Sequence, residues 1–307
     1  MAMINKALRS MLGKFTKHCF TEWERLGLHI LPVSYYSPIP EMRKLRDDIW
    51  KCSYDLIGIS MNEDSQLKLL QDFSSLYGNE FNNLPLNETS EIRYYVYNGN
   101  FGAVDGEIYY SMIRHFKPRK IIEVGAGFST LLAIEAIMKN KEEGYNCELM
   151  GIDPYPSETL MKAFQTYRNS IRFSLIEREV QELEPSMLTT LGENDILFID
   201  STHVVRIGGD VVYLYLRVLP RLNKGVLIHS HDVFLPLEYP KEWVFKMHRF
   251  WSEQYLLQGF LTFNNNFEVV WAGSYMNLKY PDKLEAALRS YKRGETFPGS
   301  FWIRRIR

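Results

Sequence analysis

The chain has no run of about 18 apolar residues, so nothing in it reads as a membrane-spanning helix. Cysteine is scarce: Cys19, Cys52 and Cys147 are the only three in 307 residues. Their spacing suits no metal knuckle and three thiols cannot all pair within one chain, so a reducing, cytoplasmic setting is the expectation. Net charge is also nearly absent, at −1, which leaves no global field to attract nucleic acid. Clusters of basic and aromatic residues that grip nucleic acid are missing as well. Internal repeats and low-complexity linkers are not found. The first residues are basic but lack the apolar core of a secretory signal.

What is present is enough apolar sequence for a sizeable core. Hydrophobic residues make up 46% of the chain and charged ones 24%, which argues against dominant disorder. At the front, Ile4, Leu8, Met11, Leu12 and Phe15 recur at helical spacing. Lys6, Arg9, Lys14 and Lys17 lie between them, and no acid appears before Glu22. Such a basic amphipathic helix packs on its own protein, on a second subunit, or on an anionic membrane surface. Peripheral membrane contact and a homo-oligomer therefore both stay open.

Residues 1–90 read as a mainly helical extension, with helices near 41–51 and 63–77. The polar, turn-rich stretch Asn82–Glu91 marks the boundary to a domain over 91–307. From Val104 the pattern is regular: a helix to Phe116, then apolar strands at 120–124, 149–153, 171–176, 195–200 and 225–231, alternating with helices at 157–168 and 210–219. Strand cores that are apolar on both faces predict a parallel sheet covered by helices on each side. Phe267–Ala272 and Ser300–Arg305 read as two late strands.

The most informative stretch is Ile121-Ile-Glu-Val-Gly-Ala-Gly-Phe-Ser-Thr130. An apolar strand ends in an acid and a Gly-x-Gly turn, and an apolar helix follows at once. Glycines permit a sharp turn and close approach of a ligand, beside the unpaired N–H groups of a helix start. A dinucleotide fingerprint needs a third glycine where this chain has Thr130, and Glu123 would repel a pyrophosphate while suiting a cationic amine. The next strand ends at Asp153, where a carboxylate can accept ribose hydroxyls. The alternative for Asp153 is a cap on the helix near Ser157.

Glu-x-Gly-x-Gly at the end of a first strand resembles motif I of class I S-adenosylmethionine-dependent methyltransferases. The resemblance covers roughly residues 100–275. It implies a Rossmann-like, seven-stranded, mostly parallel sheet with an antiparallel last strand, and S-adenosylmethionine as cofactor. It places Glu123, Gly125, Gly127 and Ser129 at the methionine end, Asp153 on the ribose, and Glu177–Gln181 near the adenine. Asn98-Gly-Asn-Phe-Gly102 and the helix after it look like the catechol-type O-methyltransferases, which would bring Phe101 to the cofactor.

Two further strand ends carry chemistry: Phe198-Ile-Asp200-Ser-Thr-His203 and Ile228-His-Ser-His231-Asp232. Metal-dependent O-methyltransferases of the catechol and macrolide-sugar types hold acids at these two ends. By that resemblance Asp200, His231 and Asp232 would bind a divalent metal and His203 would be the base. The family usually has a carboxylate where this chain has His231, and a nitrogen ligand shifts preference from magnesium toward manganese, iron or zinc. A metal-free mechanism with His203 or His231 as general base stays open. His229 reads as a buried structural residue, and Asp210 as a helix cap.

The function expected is O-methylation of a small molecule or glycan. A Pro-punctuated aromatic loop, Phe234 to Trp243, would form the acceptor wall. The Asn/Asp-Pro-Pro-Tyr/Phe signature of amino-group methylation is lacking. Two alternatives remain: a nicotinamide-dependent oxidoreductase, and a non-catalytic protein of the same fold that binds a partner or membrane.

Overall fold

The computed structural model describes residues 2–307, with the side chains of residues 2–7 and 9 outside the described set. Ile4, Lys6 and Arg9, predicted to lie on the N-terminal amphipathic helix, therefore fall outside it as side chains. The chain divides into two compact units, one of residues 1–52 with 240–250, the other of 53–239 with 251–307.

In the first unit, α1 (Ala2–His18) and α2 (Phe20–Arg25) follow one another. The stretch predicted as one helix at 41–51 is instead two 3-10 turns, Met42–Lys44 and Asp47–Lys51. Pro40 precedes them, and Leu45 and Arg46 between them are extended, so no continuous i→i+4 ladder forms.

In the second unit α3 (Glu63–Phe81) precedes the sheet. Its Leu70, Phe73 and Phe81 share one core with Ile108, Met112 and Ile113 of α4 (Asp105–Phe116). The compact unit thus begins at Ser53, and the boundary expected at 90/91 falls inside it. Asn82–Glu91 is a turn-rich connection between packed elements, with Leu84 buried in their core.

The sheet strands among the described residues are β1 (Lys120–Val124), β2 (Glu148–Ile152), β3 (Arg172–Ile176), β4 (Ile196–Ile199), β5 (Leu227–Ser230), β6 (Phe267–Ala272) and β7 (Phe301–Arg305). Their order is β3-β2-β1-β4-β5-β7-β6. β1 to β5 pair in parallel, and β7 runs antiparallel to both β5 and β6. Pro118 and Gly125 bracket β1, and α5 (Phe128–Glu142) starts as soon as the turn is made. α6 (Glu158–Tyr167) links β2 to β3, capped by the Ser157 hydroxyl, which accepts from Leu160 N–H.

Period-two alternation divides the strand residues between two cores. Ile121, Ile196 and Phe198 pack on one face with α4 and α5, while Ile122, Val124, Leu197 and Ile199 pack on the other. Covering both faces is what lets a parallel sheet exclude water from its backbone. The predicted helix at 210–219 is composite: α-helical at Asp210–Tyr213, then a π turn at Leu214–Val218 and a 3-10 turn to Arg221.

Strand order reverses between β1 and β4, so their carboxyl ends open the crevice where ligands of such sheets bind. Gly125, Asp153, Asp200 and Asp232 lie in the segments that leave β1, β2, β4 and β5.

Candidate active site

A cavity of about 250 Å³ opens at the switch point. Its walls include Gly125 after β1, Asp153 after β2, Glu179 and Gln181 after β3, and Asp200 after β4. The two glycines of the turn play different parts. Gly125 has φ +81°, and a Cβ there would lie 1.7 Å from the Asp200 carbonyl oxygen. The fold itself therefore demands glycine at 125. A Cβ at Gly127 would meet nothing within 4 Å, so the protein leaves space there.

Asp153 does not cap α6. Its carboxylate accepts from Ala126 N–H (3.2 Å) and Tyr155 N–H (2.8 Å), which fixes it on the cavity wall. Glu123 is placed differently from the sequence expectation. It is fully buried beneath the turn, accepting from the hydroxyls of Tyr109 (3.0 Å) and Thr130, and is not among the cavity's walls. Burial pushes its pKa up to about 7 against those hydrogen bonds. Its side chain ties β1 to α4 and α5. Ser129 is buried on α5, and Phe101 packs 5.0 Å from the His231 ring, on the reaction side. Thr130 takes the place of the third glycine, its hydroxyl accepting from Gly127 N–H at 3.0 Å.

The second cluster adjoins the cavity. Asp200 Oδ1 lies 3.3 Å from His203 Nε2 and 3.5 Å from His231 Nδ1. Asp232 Oδ2 is 3.7 Å from each of those two nitrogens. Donor atoms of Asp200, His231 and Asp232 all lie within 4.8 Å of one another. His203 and Asp232 both hold left-handed backbone, φ 59° and 53°, a strained choice for non-glycine residues that concentrates at functional sites.

Two members of the cluster gave no sequence signal. Glu253, 1% exposed, accepts from His203 Nδ1 (2.9 Å) and the Tyr215 hydroxyl (2.9 Å). Asp105 accepts from Gly299 N–H (2.9 Å) and Ser300 N–H (3.0 Å) and faces His231 Nε2 at 3.6 Å. Both start helices, where an acid is ordinary, and only the fold brings them to the histidines. Asp210 also differs from expectation: Gly209 is the cap, and Asp210 instead binds Thr202 N–H (2.8 Å) and its hydroxyl (2.7 Å). His229 is buried against Phe198 and bonded to the Ser300 hydroxyl at 2.9 Å, the structural role read from its strand. Trp251 lies 4.3 Å from the His203 ring.

The donor set fits a metal ion. His231 Nδ1 is buried without a hydrogen-bond partner, and it faces two carboxylate oxygens at 3.5 and 3.7 Å. Donors about 2.1 Å from one cation stand roughly 3.0–3.5 Å apart, close to this spacing. An orphaned buried nitrogen costs stability unless something fills the gap.

Burial opposes charge on His203, but the hydrogen bonds to Asp200 and Glu253 win and raise its pKa from 6.5 to about 10. His231 is raised too, its neighbouring carboxylates overcoming burial. A raised folded-state pKa gives stability that is full below the unfolded value and lost as pH rises through the folded one. The metal-free chain is thus expected to lose stability between about pH 6.5 and 10, read as a falling denaturation midpoint. A midpoint flat across that window would contradict the histidine–carboxylate coupling.

Residues 122–233 match the model of a methyltransferase domain family. An uncharacterized protein of Archaeoglobus fulgidus is 34% identical over 174 residues, spanning 54% of this chain and 75% of the relative. Among solved structures, the S-adenosylhomocysteine-bound methyltransferase PaMTH1 of Podospora anserina aligns over 80% of this chain and 88% of its own, at 16% identity and TM-score 0.42. The TDP-rhamnose 3'-O-methyltransferase CalS11 aligns over 81% and 96%, at 14% identity and TM-score 0.41. The methyltransferase-domain match begins in β1 and ends just past Asp232, so the stretch that is similar to a methyltransferase domain takes in both the glycine turn and the acid–histidine cluster.

Proposed function

We propose that the chain transfers a methyl group from S-adenosylmethionine to a hydroxyl of a small molecule or glycan, beside a divalent cation held by Asp200, His231 and Asp232. One observation carries the reading: Asp200 lines the cavity at the switch point and also belongs to the three-residue donor cluster. Donor and acceptor sites therefore meet at one carboxylate. CalS11, a sugar O-methyltransferase by description, is in keeping with the acceptor class.

Asp153 has lone pairs left after its two backbone bonds and would accept the ribose hydroxyls. Glu179 to Gln181 would border the adenine. The open space at Gly127 would admit the methionine end against the α5 N-terminus. A cation bound by two carboxylates and one imidazole would acidify the acceptor hydroxyl. Asp200, His231 and Asp232 would hold that cation where an acceptor oxygen can come in line with the methyl carbon. As the new C–O bond forms and the C–S bond breaks, His203 would take the hydroxyl proton, oriented through Nδ1 by Glu253. That role requires neutral imidazole, so a cation held by Asp200 would have to offset the carboxylates, Asp200 and Glu253, that raise the His203 pKa. Metal binding is therefore expected to release protons at neutral pH, seen as a buffer-dependent heat in calorimetry. Metal uptake with no proton release would remove His203 as the base.

Calorimetry with S-adenosylhomocysteine and with NAD tests the cofactor directly, and binding of NAD alone would overturn the reading. Gly127→Ala is expected to keep the unfolding midpoint and to weaken S-adenosylhomocysteine binding by roughly tenfold or more, because only the ligand meets the new methyl. Unchanged affinity in that variant would move the cofactor away from the turn.

A further inference from the structure

The first unit presents a surface that the methyl-transfer reading does not use. α1 turns Ser10, Gly13, Lys14 and Lys17 toward the 31–38 segment, where they line a shared cleft with Pro32 and Tyr36. A Cβ at Gly13 would touch Pro32 at 3.6 Å. The helix therefore packs on its own unit through its small and polar side. Its apolar side looks outward: Leu8, Met11, Leu12 and Phe15 are 47%, 63%, 49% and 55% exposed. This inverts the usual arrangement of a surface helix, which buries its apolar stripe.

The segment behind α1 repeats the pattern. Leu26, Val33, Tyr35 and Tyr36 are 70%, 71%, 96% and 90% exposed. Tyrosines of this kind favour the boundary between water and lipid. Charge completes the description. Residues 1–21 carry four Lys or Arg and no acid in a chain of net charge −1, and among the described residues neither Lys14 nor Lys17 has an acidic partner. At 100° per residue the apolar positions 8, 11, 12 and 15 fall in one arc, with Lys14 at its edge. No described helix is long and apolar enough to cross a membrane, so this one would lie along a surface.

We infer that α1 docks flat on an anionic lipid bilayer, inserting Leu8, Met11, Leu12 and Phe15 while Lys14, at the edge of that stripe, meets lipid headgroups. An apolar stripe supplies burial in the acyl boundary and the basic flank supplies attraction to anionic lipid. A second copy of the chain could cover the stripe, but paired α1 helices would bring like charges together.

Co-sedimentation of the full chain tests this with vesicles of phosphatidylcholine alone and of phosphatidylcholine with about a third phosphatidylserine. Binding is expected to the anionic vesicles and to fall at least tenfold on the neutral ones. The Leu12→Glu/Phe15→Glu variant is expected to lose binding, as is Lys14→Glu. All three positions are exposed, so both variants should keep the wild-type unfolding midpoint and S-adenosylhomocysteine affinity. No binding to anionic vesicles overturns the inference, and so does equal binding by Leu12→Glu/Phe15→Glu. Self-association without lipid that Leu12→Glu/Phe15→Glu dissolves would assign the stripe to a second copy instead. Failure of any of these leaves the methyl-transfer reading untouched, because no residue of the active site is altered.

Discussion

Gly125→Ala is expected to destabilise the chain by several kcal/mol and to abolish cofactor binding with it. Two effects add. Alanine at φ +81° is strained by roughly 1–2 kcal/mol, and its methyl would stand 1.7 Å from the Asp200 carbonyl oxygen, a contact no rotamer can relieve. The backbones after β1 and β4 would have to separate, breaking the bond from Asp200 N–H to the Val124 carbonyl at 2.8 Å. Losses above about 4 kcal/mol are rare for one substitution and mark this kind of backbone conflict. Urea unfolding measures the first effect and S-adenosylhomocysteine calorimetry the second. A Gly125→Ala protein as stable as wild type would mean that the two strand ends are not in contact. Paired with Gly127→Ala, the experiment separates a glycine the fold requires from one the ligand requires.

Asp200→Asn is expected to lower methyl transfer by about a thousandfold or more, near 4 kcal/mol of barrier, once an acceptor is in hand. Asn keeps the shape and removes the charge that balances the cation, His203 and His231 together. Chelation of the wild-type protein should produce a similar loss, reversed by adding back manganese, zinc or magnesium. Because His231 contributes nitrogen, manganese or zinc should restore more activity than magnesium. Turnover that survives both chelation and Asp200→Asn would end the metal claim. Turnover that survives chelation but vanishes in His203→Ala and in His231→Ala would establish a bare histidine base. A screen over phenols, sugars and glycolipids has to come first, since each of these readouts needs an acceptor.

Local sequence determined most of the scaffold. Apolar runs of strand length bounded by Gly, Pro and acids located β1 to β7 within a residue or two, because a strand buried on both faces can be built in few other ways. Legibility failed where local signals were weak or mixed. The 41–51 segment has helical composition but is interrupted at Leu45 and Arg46, and propensity alone does not register that break. Helix 63–81 reads as part of an extension in sequence, yet Leu70 and Phe73 are spent on the sheet's own core.

Within the site the division is sharper. Asp153, Asp200, His203, His231 and Asp232 were legible because each follows a strand end, and parallel strands deliver their carboxyl ends to one crevice. Glu123 was legible as a motif but not as a position. Alternation along β1 turns it to the same side as Ile121, under the turn, where Tyr109 and Thr130 hold it. Asp105 and Glu253 were invisible, lying far from the histidines in sequence and resembling ordinary helix-starting acids. Sequence by itself therefore determined which strand ends carry the acids and histidines, since that depends on residues adjacent in the chain. Only the tertiary structure decided which carboxylates orient His203 and His231 and which glycine the fold cannot replace, because those depend on distances between segments that no local pattern encodes.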